Sequence, residues 1–247
     1  PGITLENELA ELARVSGINL VGPNCVGIFN PLIGLGVNIG GYSGKNGNLA
    51  FISHSGSQTI GFSKAAFSHG IRMSKAVSMG NGLVLDTSDY LEYFAQDPDT
   101  SVIGMYVEGV RDGRRFFNTL KEVCRKKPVI IWKVGETEES GEVAAGHSTS
   151  KPARPEIWDA MVKQCRAIAV EDAGELIETA KLLLHLQPTT GERLGLFALS
   201  GGHSTEMANI FSKSGFKVPP LSENSYQQIL AHWDMVGSTY RNPLEGR

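Results

Sequence analysis

Cysteine is scarce in this sequence. The 247 residues include three cysteines, Cys25, Cys124 and Cys165, and no two of them have a CxxC or other metal-ligand spacing. We therefore expect neither a disulfide framework nor a protein-bound metal site. Such a low cysteine content is typical of a reducing compartment, and we expect a cytoplasmic protein.

Long apolar runs and a basic excess are also lacking. No stretch approaches the roughly 18 apolar residues that a membrane helix needs, and the first residues show neither the basic nor the apolar region of a signal peptide. The formal net charge is -3, and lysine and arginine are scattered along the chain. We expect no membrane insertion and no nucleic-acid partner.

What is present is an alternation of strand and helix signals. The runs Leu49 to Ile52, Val102 to Val107 and Val129 to Val134 are apolar throughout, as strands buried on both faces are, and helix-like segments separate them. This alternation predicts an α/β fold, a doubly wound parallel sheet with helices on both faces. Hydrophobic residues make up 41% of the chain, enough to fill such a core.

The chain divides into three parts by composition. A helix over Thr4 to Val15 and a short strand over Ile18 to Val21 precede a Gly-, Asn- and Pro-rich stretch that reads as a loop up to Gly47. A second linker, Gln187 to Gly191, is followed by a strand over Leu194 to Leu199, a Gly201-Gly202 turn and another helix. We therefore predict domains over residues 1–45, 46–187 and 188–247.

The third part is too short for a doubly wound sheet of ordinary size, because it holds only about two strand–helix units. The chain also opens on Pro1 rather than Met. A piece of a longer protein is therefore expected.

Ligands of open α/β sheets sit at the carboxyl ends of the strands. The turn Ser53 to Ser57 leads from a strand into a helix, so its amides and hydroxyls suit a phosphate, although a simple helix cap is an equal alternative. Glu108 ends an apolar strand, where an acid is costly unless it lies at the rim or has a partner such as histidine, and an ordinary exposed loop acid is an equal alternative. His147 lies in a long polar loop, and His54 and His203 lie in comparable turns. Residue chemistry alone does not rank the three histidines.

Two enzyme classes are disfavoured by spacing. Ser55 stands where a hydrolase nucleophile would stand, but the turn reads Ser-His-Ser-Gly-Ser rather than G-x-S-x-G. No G-x-G-x-x-G opens a helix after a strand, so a dinucleotide-binding site is not expected either.

Several motifs, in order, resemble the nucleoside-diphosphate-forming acyl-CoA synthetases, a superfamily that includes the succinyl-CoA synthetase alpha subunit and ADP-forming acetate-CoA ligase. The resemblance covers nearly the whole chain. The motifs are Gly22-Pro23-Asn24-Cys25-Val26-Gly27-Ile28, the strand and turn from Asn48 to Ser57, Val77-Ser78-Met79-Gly80-Asn81, Asp89-Tyr90-Leu91-Glu92-Tyr93, Asp97-Pro98-Asp99-Thr100, Tyr106-Val107-Glu108-Gly109 and Lys133-Val134-Gly135.

The resemblance implies a flavodoxin-like, succinyl-CoA synthetase-like domain over residues 46–187, preceded by the tail of a CoA-binding domain and followed by the start of a second flavodoxin-like domain. It also implies roles for site residues. His147 would be the phosphorylated histidine, with Glu108 as its hydrogen-bond partner. Phosphate would bind Ser55, Gly56 and Ser57, and coenzyme A would bind Pro23, Asn24 and Cys25.

The activity implied is that of an acid-CoA ligase, which interconverts acyl-CoA, phosphate and ADP with acid, CoA and ATP through a phosphohistidine. ATP or ADP with Mg would bind an ATP-grasp domain or subunit outside this chain, so this piece alone would be inactive, and an oligomer is expected. The family usually has glycines soon after its histidine, where this sequence reads Ser148-Thr149 and Pro152-Ala153. That difference motivates an alternative, a non-catalytic regulatory domain that binds CoA or acyl-CoA.

Overall fold

The computed structural model describes residues 2–36, 46–135, 137, 140, 154–187, 190–232 and 242–245. The chain separates into two compact units, Pro1–Leu186 and Gln187–Arg247. Within the described residues the helices are α1 (Gly2–Ser16), α2 (Gly56–Ser68), α3 (Thr87–Gln96), α4 (Gly113–Val123), α5 (Pro155–Cys165), α6 (Ala173–His185), α7 (Gly201–Lys213) and α8 (Glu223–Leu230). The strands are β1 (Gly27–Phe29), β2 (Leu49–Ser53), β3 (Met73–Ser78), β4 (Val102–Val107), β5 (Val129–Lys133), β6 (Ile168–Val170), β7 (Phe197–Ala198) and β8 (Leu244–Glu245).

The first unit is built on a six-stranded sheet in the order β1-β3-β2-β4-β5-β6. Strands β2 to β6 pair in parallel, and β1 adds an antiparallel edge next to β3. Without that edge the order is 2-1-3-4-5 when the parallel strands are numbered along the chain, which is the flavodoxin arrangement. The predicted α/β, flavodoxin-like fold is confirmed.

Each face of this sheet has its own hydrophobic core. Ile52, Met105 and Ile131 lie in the core that includes Phe116 of α4 and Trp158 of α5. The opposite face packs side chains of β2 and β4 against α2 and α6, and the Phe51 and Phe62 rings stack there with centroids 4.1 Å apart. Helices therefore cover both faces, which explains why β4 and the first four residues of β2 carry no strongly polar side chain.

Local sequence sets where the helices begin. The side chains of Ser55, Asp86, Asp112 and Asp172 each accept a hydrogen bond from a first-turn amide of the helix that follows. Helices α2, α3, α4 and α6 are thus fixed at the end that faces the loops, whereas α5 begins at Pro155 without a side-chain cap. Among the described residues, no helix is both long enough and apolar enough to cross a bilayer.

Two short segments near the start of the chain differ from the prediction. Ile18 to Val21 forms no strand, because Leu20 O accepts a hydrogen bond from Leu85 N, 3.4 Å away, in the turn that follows β3. Gly27–Phe29, predicted as loop, is the edge strand β1. Three residues are too few for hydrophobic alternation to show in a sequence.

The second unit contains the parallel pair β7 and β8 together with α7 and α8. Strand β7 is shorter than the predicted Leu194 to Leu199, since Leu194 N donates to Lys217 O at 2.8 Å instead of joining the pair. The predicted Gly201-Gly202 turn is wrong as well: both glycines begin α7, which Ser200 caps.

A buried ion pair joins β3 to the turn after α3. Lys75 Nζ lies 2.9 and 2.8 Å from the two carboxylate oxygens of Asp97 and 3.1 Å from Asp99, and Thr100 donates to Asp97 at 2.6 Å. Burial raises the pKa of the Asp97 carboxyl, but the hydrogen bonds from Lys75 and Thr100 outweigh it and hold the pKa below its ordinary value. The pair therefore stabilises the ionised form of Asp97 in the folded state.

Replacing Lys75 with methionine is expected to cost about 3 kcal/mol in the free energy of unfolding at pH 7, because Asp97 is left buried without its cation. A lowered folded-state pKa gives stability that is present above the unfolded value, near 3.9, and is lost as pH falls through the folded value. The cost should therefore shrink at pH 3. Urea unfolding at both pH values measures it, with exposed Lys64→Met as the control. An equal cost at both pH values would contradict the ion-pair explanation.

Candidate functional site

The β2–α2 turn presents a helix N-terminus at the carboxyl edge of the sheet. Ser55 is the N-cap of α2, and its hydroxyl accepts from Gln58 N and lies 3.0 Å from the Ser57 hydroxyl. Ser53 Oγ accepts from Ser55 N at 3.0 Å, which folds the chain tightly at this point. The first-turn amides of Gly56 and Ser57 have no partner within the helix, and with the helix dipole they suit an anion.

Glu108 lies just beyond the end of the strand next to this turn. It follows β4, and β4 pairs with β2 so that Ser53 lies opposite Tyr106. The side chain of Glu108 is buried, with 5% of the residue exposed. Strand β3 lies on one side of β2, and β4 and the later strands lie on the other, so the strand order reverses between β2 and β4. Ligands of such sheets bind at this switch point.

The backbone of Glu108 is held from both neighbouring strands. Its N–H donates to His54 Nδ1 at 3.5 Å, and its carbonyl accepts from Lys133 Nζ at 3.0 Å. Lys133 ends β5 and also lies 5.5 Å from the centre of the Trp158 ring. His54 is buried in this arrangement, with 6% of the residue exposed.

Tyr106 interacts with the side chain of Glu108. Burial, then the charge of the Glu108 carboxylate and the hydrogen bond between the two side chains, raise the pKa of Tyr106 to about 12. The phenol is therefore protonated at neutral pH. Its ring packs edge-on against Trp132, with centroids 4.8 Å apart.

The Gly22 to Cys25 turn lies against the end of β3. Asn81 N donates to Pro23 O and Leu83 N donates to Gly22 O, each at 3.0 Å. A Cβ on Gly80, which has a φ of +54°, would overlap the Pro23 carbonyl, so only glycine permits this approach. A Cβ on Gly56 would likewise overlap Val26. The turn thus lies beside the N-terminus of α2.

The structure brings several of the predicted site residues together. Ser55, Gly56, Ser57 and Glu108 lie at the ends of the adjacent strands β2 and β4, and Pro23, Asn24 and Cys25 lie against the end of β3. His147 lies outside the described residues. His203 belongs to α7 of the second unit, where its Nδ1 lies 3.2 Å from Ser200 Oγ.

Sequence reasoning assigned no role to Tyr106 or Lys133. A signal for Lys133 was present, because a charge at the end of an apolar strand is as unusual there as Glu108 is. Tyr106 gave no such signal in the sequence, because tyrosine is common in buried strands. Within the described part of the chain, no three His, Cys, Asp or Glu side chains form a potential metal site.

An open 2-1-3-4-5 sheet with a capped helix N-terminus and a buried acid at its switch point defines a flavodoxin-like α/β domain that suits an anionic ligand. Comparison with known families makes this more specific. The model of the succinyl-CoA ligase like flavodoxin domain matches residues 46–183. The chain belongs to this family.

Relatives match beyond the domain itself. Acetate–CoA ligase (ADP-forming) I of Archaeoglobus fulgidus is 34% identical over 99% of this chain and 35% of its own length. The alpha subunit of acetate–CoA ligase (ADP-forming) II of Pyrococcus furiosus is 33% identical over 97% of this chain and 52% of its own length. The chain thus spans between a third and about half of these relatives.

A solved structure is similar over almost the whole chain. It is dinucleotide forming acetyl-coenzyme A synthetase 1 of Ca. Korarchaeum cryptofilum, in complex with phosphate and ADP, with a TM-score of 0.88 and 30% identity. The match covers 98% of this chain and 52% of the synthetase chain.

Proposed function

We propose that this chain is the phosphohistidine-bearing part of an NDP-forming acid–CoA ligase. The observation that carries the proposal is the pairing, at the switch point, of the α2 N-terminus with the buried carboxylate of Glu108. The first group suits a phosphoryl oxygen and the second suits an imidazole N–H. The similarity to ADP-forming acetate–CoA ligases, found over nearly the whole chain, supports the same reaction.

The proposed reaction has three balanced steps. Phosphate displaces CoA from an acyl-CoA and forms an acyl phosphate. A neutral ring nitrogen of His147 then attacks phosphorus and releases the acid. Finally, ADP takes the phosphoryl group to form ATP, which regenerates His147. The reverse direction makes acyl-CoA.

Each described group has a proposed part in the phosphoryl step. Positive charge develops on the imidazole of His147 as it attacks, and Glu108, accepting from the other ring nitrogen, stabilises that charge and fixes the tautomer. The amides of Gly56 and Ser57, with the hydroxyls of Ser55 and Ser57, neutralise the phosphoryl oxygens. The α2 N-terminus is rigidly capped, so these donors need no reorganisation during the transfer.

Coenzyme A is proposed to bind the turn at Pro23, Asn24 and Cys25. The turn fits such a ligand because Asn24 is exposed and Cys25 is half-buried, so both are within reach of a ligand beside α2. We propose that residues 1–45 are the tail of a CoA-binding domain, 46–187 the ligase-like domain and 188–247 the start of a further flavodoxin-like domain.

The nucleotide with Mg is proposed to bind an ATP-grasp domain or subunit outside this chain, in an oligomeric, cytoplasmic enzyme. The P. furiosus relative is itself an alpha subunit, which supports a divided enzyme.

Radiolabelled ATP tests the proposal. The full-length protein, supplied with its nucleotide-binding domain or subunit and ATP labelled at the γ-phosphate, is expected to take up a phosphoryl label that is labile in acid and stable in base, as a phosphohistidine is. The rival is the non-catalytic domain that binds CoA or acyl-CoA. Measurable CoA binding without any label would favour that rival and overturn the ligase proposal.

A further inference from the structure

Asn81, in the loop that follows β3, contacts two segments near the start of the chain. Its side-chain Nδ2 donates to Glu6 Oε1 of α1 at 2.6 Å, and its backbone N–H donates to Pro23 O at 3.0 Å. Its side-chain oxygen lies 3.4 Å from Asn24 Nδ2. One residue thus holds both α1 and the Gly22 to Cys25 turn at the carboxyl edge of the sheet.

Glu6 determines which way the Asn81 amide faces. A glutamate carboxylate only accepts hydrogen bonds, so the NH₂ group of the amide must point towards it. The amide oxygen of Asn81 then faces Asn24, whose own NH₂ group donates. Glu6 and Asn81 are both half-buried, so their contact is partly shielded from water.

Helix α1 has little apolar packing to hold it in place. Of the residues 2–16 that form it, only Ala13 is buried, and Ile3, Leu5, Leu12 and Val15 are exposed. A hydrogen bond to a charged group is stronger than one between neutral groups. The contact between Glu6 and Asn81 is therefore a large part of what fixes α1 against the loop after β3.

We propose that Asn81 is a positioning residue for coenzyme A, which holds the Gly22 to Cys25 turn and α1 at the edge of the ligase-like sheet. The inference rests on the proposed function, because it takes this turn as part of the CoA site. The turn lies beside the N-terminus of α2, where Gly56 closely approaches Val26. Asn81 thus sets where bound CoA lies relative to the proposed phosphate site.

Aspartate at position 81 keeps the size of the side chain and an oxygen facing Asn24, but it places a second carboxylate against Glu6. Asn81→Asp is expected to raise the dissociation constant for CoA by about tenfold, the effect of losing one hydrogen bond to a charged group. Glu6→Gln alone should change it by less than about twofold, because the new amide oxygen can still accept from Asn81. Isothermal titration of the full-length protein with CoA measures both.

The double variant Glu6→Gln with Asn81→Asp restores the hydrogen bond with donor and acceptor exchanged. It should bind CoA within about threefold of the wild type. A double variant that binds as weakly as Asn81→Asp would overturn the inference, and so would normal binding by Asn81→Asp alone. Simple repulsion between the added charge and the CoA phosphates predicts additive effects instead, with tighter binding by Glu6→Gln. Asn118→Asp, at an exposed position of α4, is the control for the change in charge and should bind CoA normally.

The free energies of unfolding of the same four proteins test the contact without any ligand. They should be non-additive, since the side chains at positions 6 and 81 are in contact. Additive energies would show that the contact does not form, and would overturn the inference.

Label uptake from γ-labelled ATP separates positioning of CoA from general damage, because that step does not involve CoA. Asn81→Asp should take up label at the wild-type rate, and a parallel loss of label would show damage to the fold instead. A wild type that binds no CoA would overturn this inference. A wild type that binds CoA but takes up no label would refute the ligase proposal and leave the role of Asn81 to the binding data.

Discussion

Replacing His147 with asparagine is expected to abolish phosphoryl labelling of the full-length protein. Asparagine is close to histidine in size and keeps a polar amide, but an amide nitrogen has no available lone pair with which to attack phosphorus. The proposed intermediate then has no acceptor atom, so the loss should reach the detection limit, at least about a thousandfold. Gel autoradiography after incubation with γ-labelled ATP measures it, with CoA binding as a check that the variant is folded.

His203→Asn is the control for this substitution. His203 also lies near the start of a helix that follows a strand, but in α7 of the second unit, where it contacts Ser200. Its replacement should leave labelling unchanged. A label that survives in His147→Asn would show that another residue is phosphorylated. His54 would then be the first candidate, because its ring already lies beside Glu108.

Much of the flavodoxin-like sheet could be predicted because its strands are buried on both faces. Such strands are apolar at every position, as Val102 to Val107 is, and they stand out in the sequence. The pairing order is not visible in that way. Nothing in the residues of β2 shows that β3 and β4 lie on opposite sides of it, although this order creates the switch point.

The candidate site was predictable where one residue conflicts with its local pattern. Glu108 ends an apolar strand and is therefore conspicuous. The partners of Glu108 were not predictable, because they depend on register: Tyr106 pairs with Trp132, and Lys133 at the end of β5 reaches the Glu108 carbonyl. The contact of Gly80 with Pro23 likewise joins segments more than 50 residues apart, and only the folded chain shows it.

Replacing Glu108 with glutamine is expected to lower the rate of phosphohistidine formation by roughly a hundredfold to ten-thousandfold, the range of general acid–base contributions. Glutamine has nearly the same volume, so the buried position stays filled. What is lost is the negative charge that stabilises the imidazolium as it forms. The amide can also turn its NH₂ towards the histidine, which favours the wrong tautomer. Rapid-quench measurement of label uptake gives the rate.

Glu171→Gln is the matched control, because Glu171 also follows directly after a parallel strand, β6, but is exposed. Its replacement should change neither the labelling rate nor the free energy of unfolding beyond about 0.5 kcal/mol. A loss in Glu108→Gln that comes with a comparable loss of folded protein would show a structural role instead. A normal rate in a folded Glu108→Gln protein would remove Glu108 from the mechanism, and the switch point would then act through the α2 N-terminus alone.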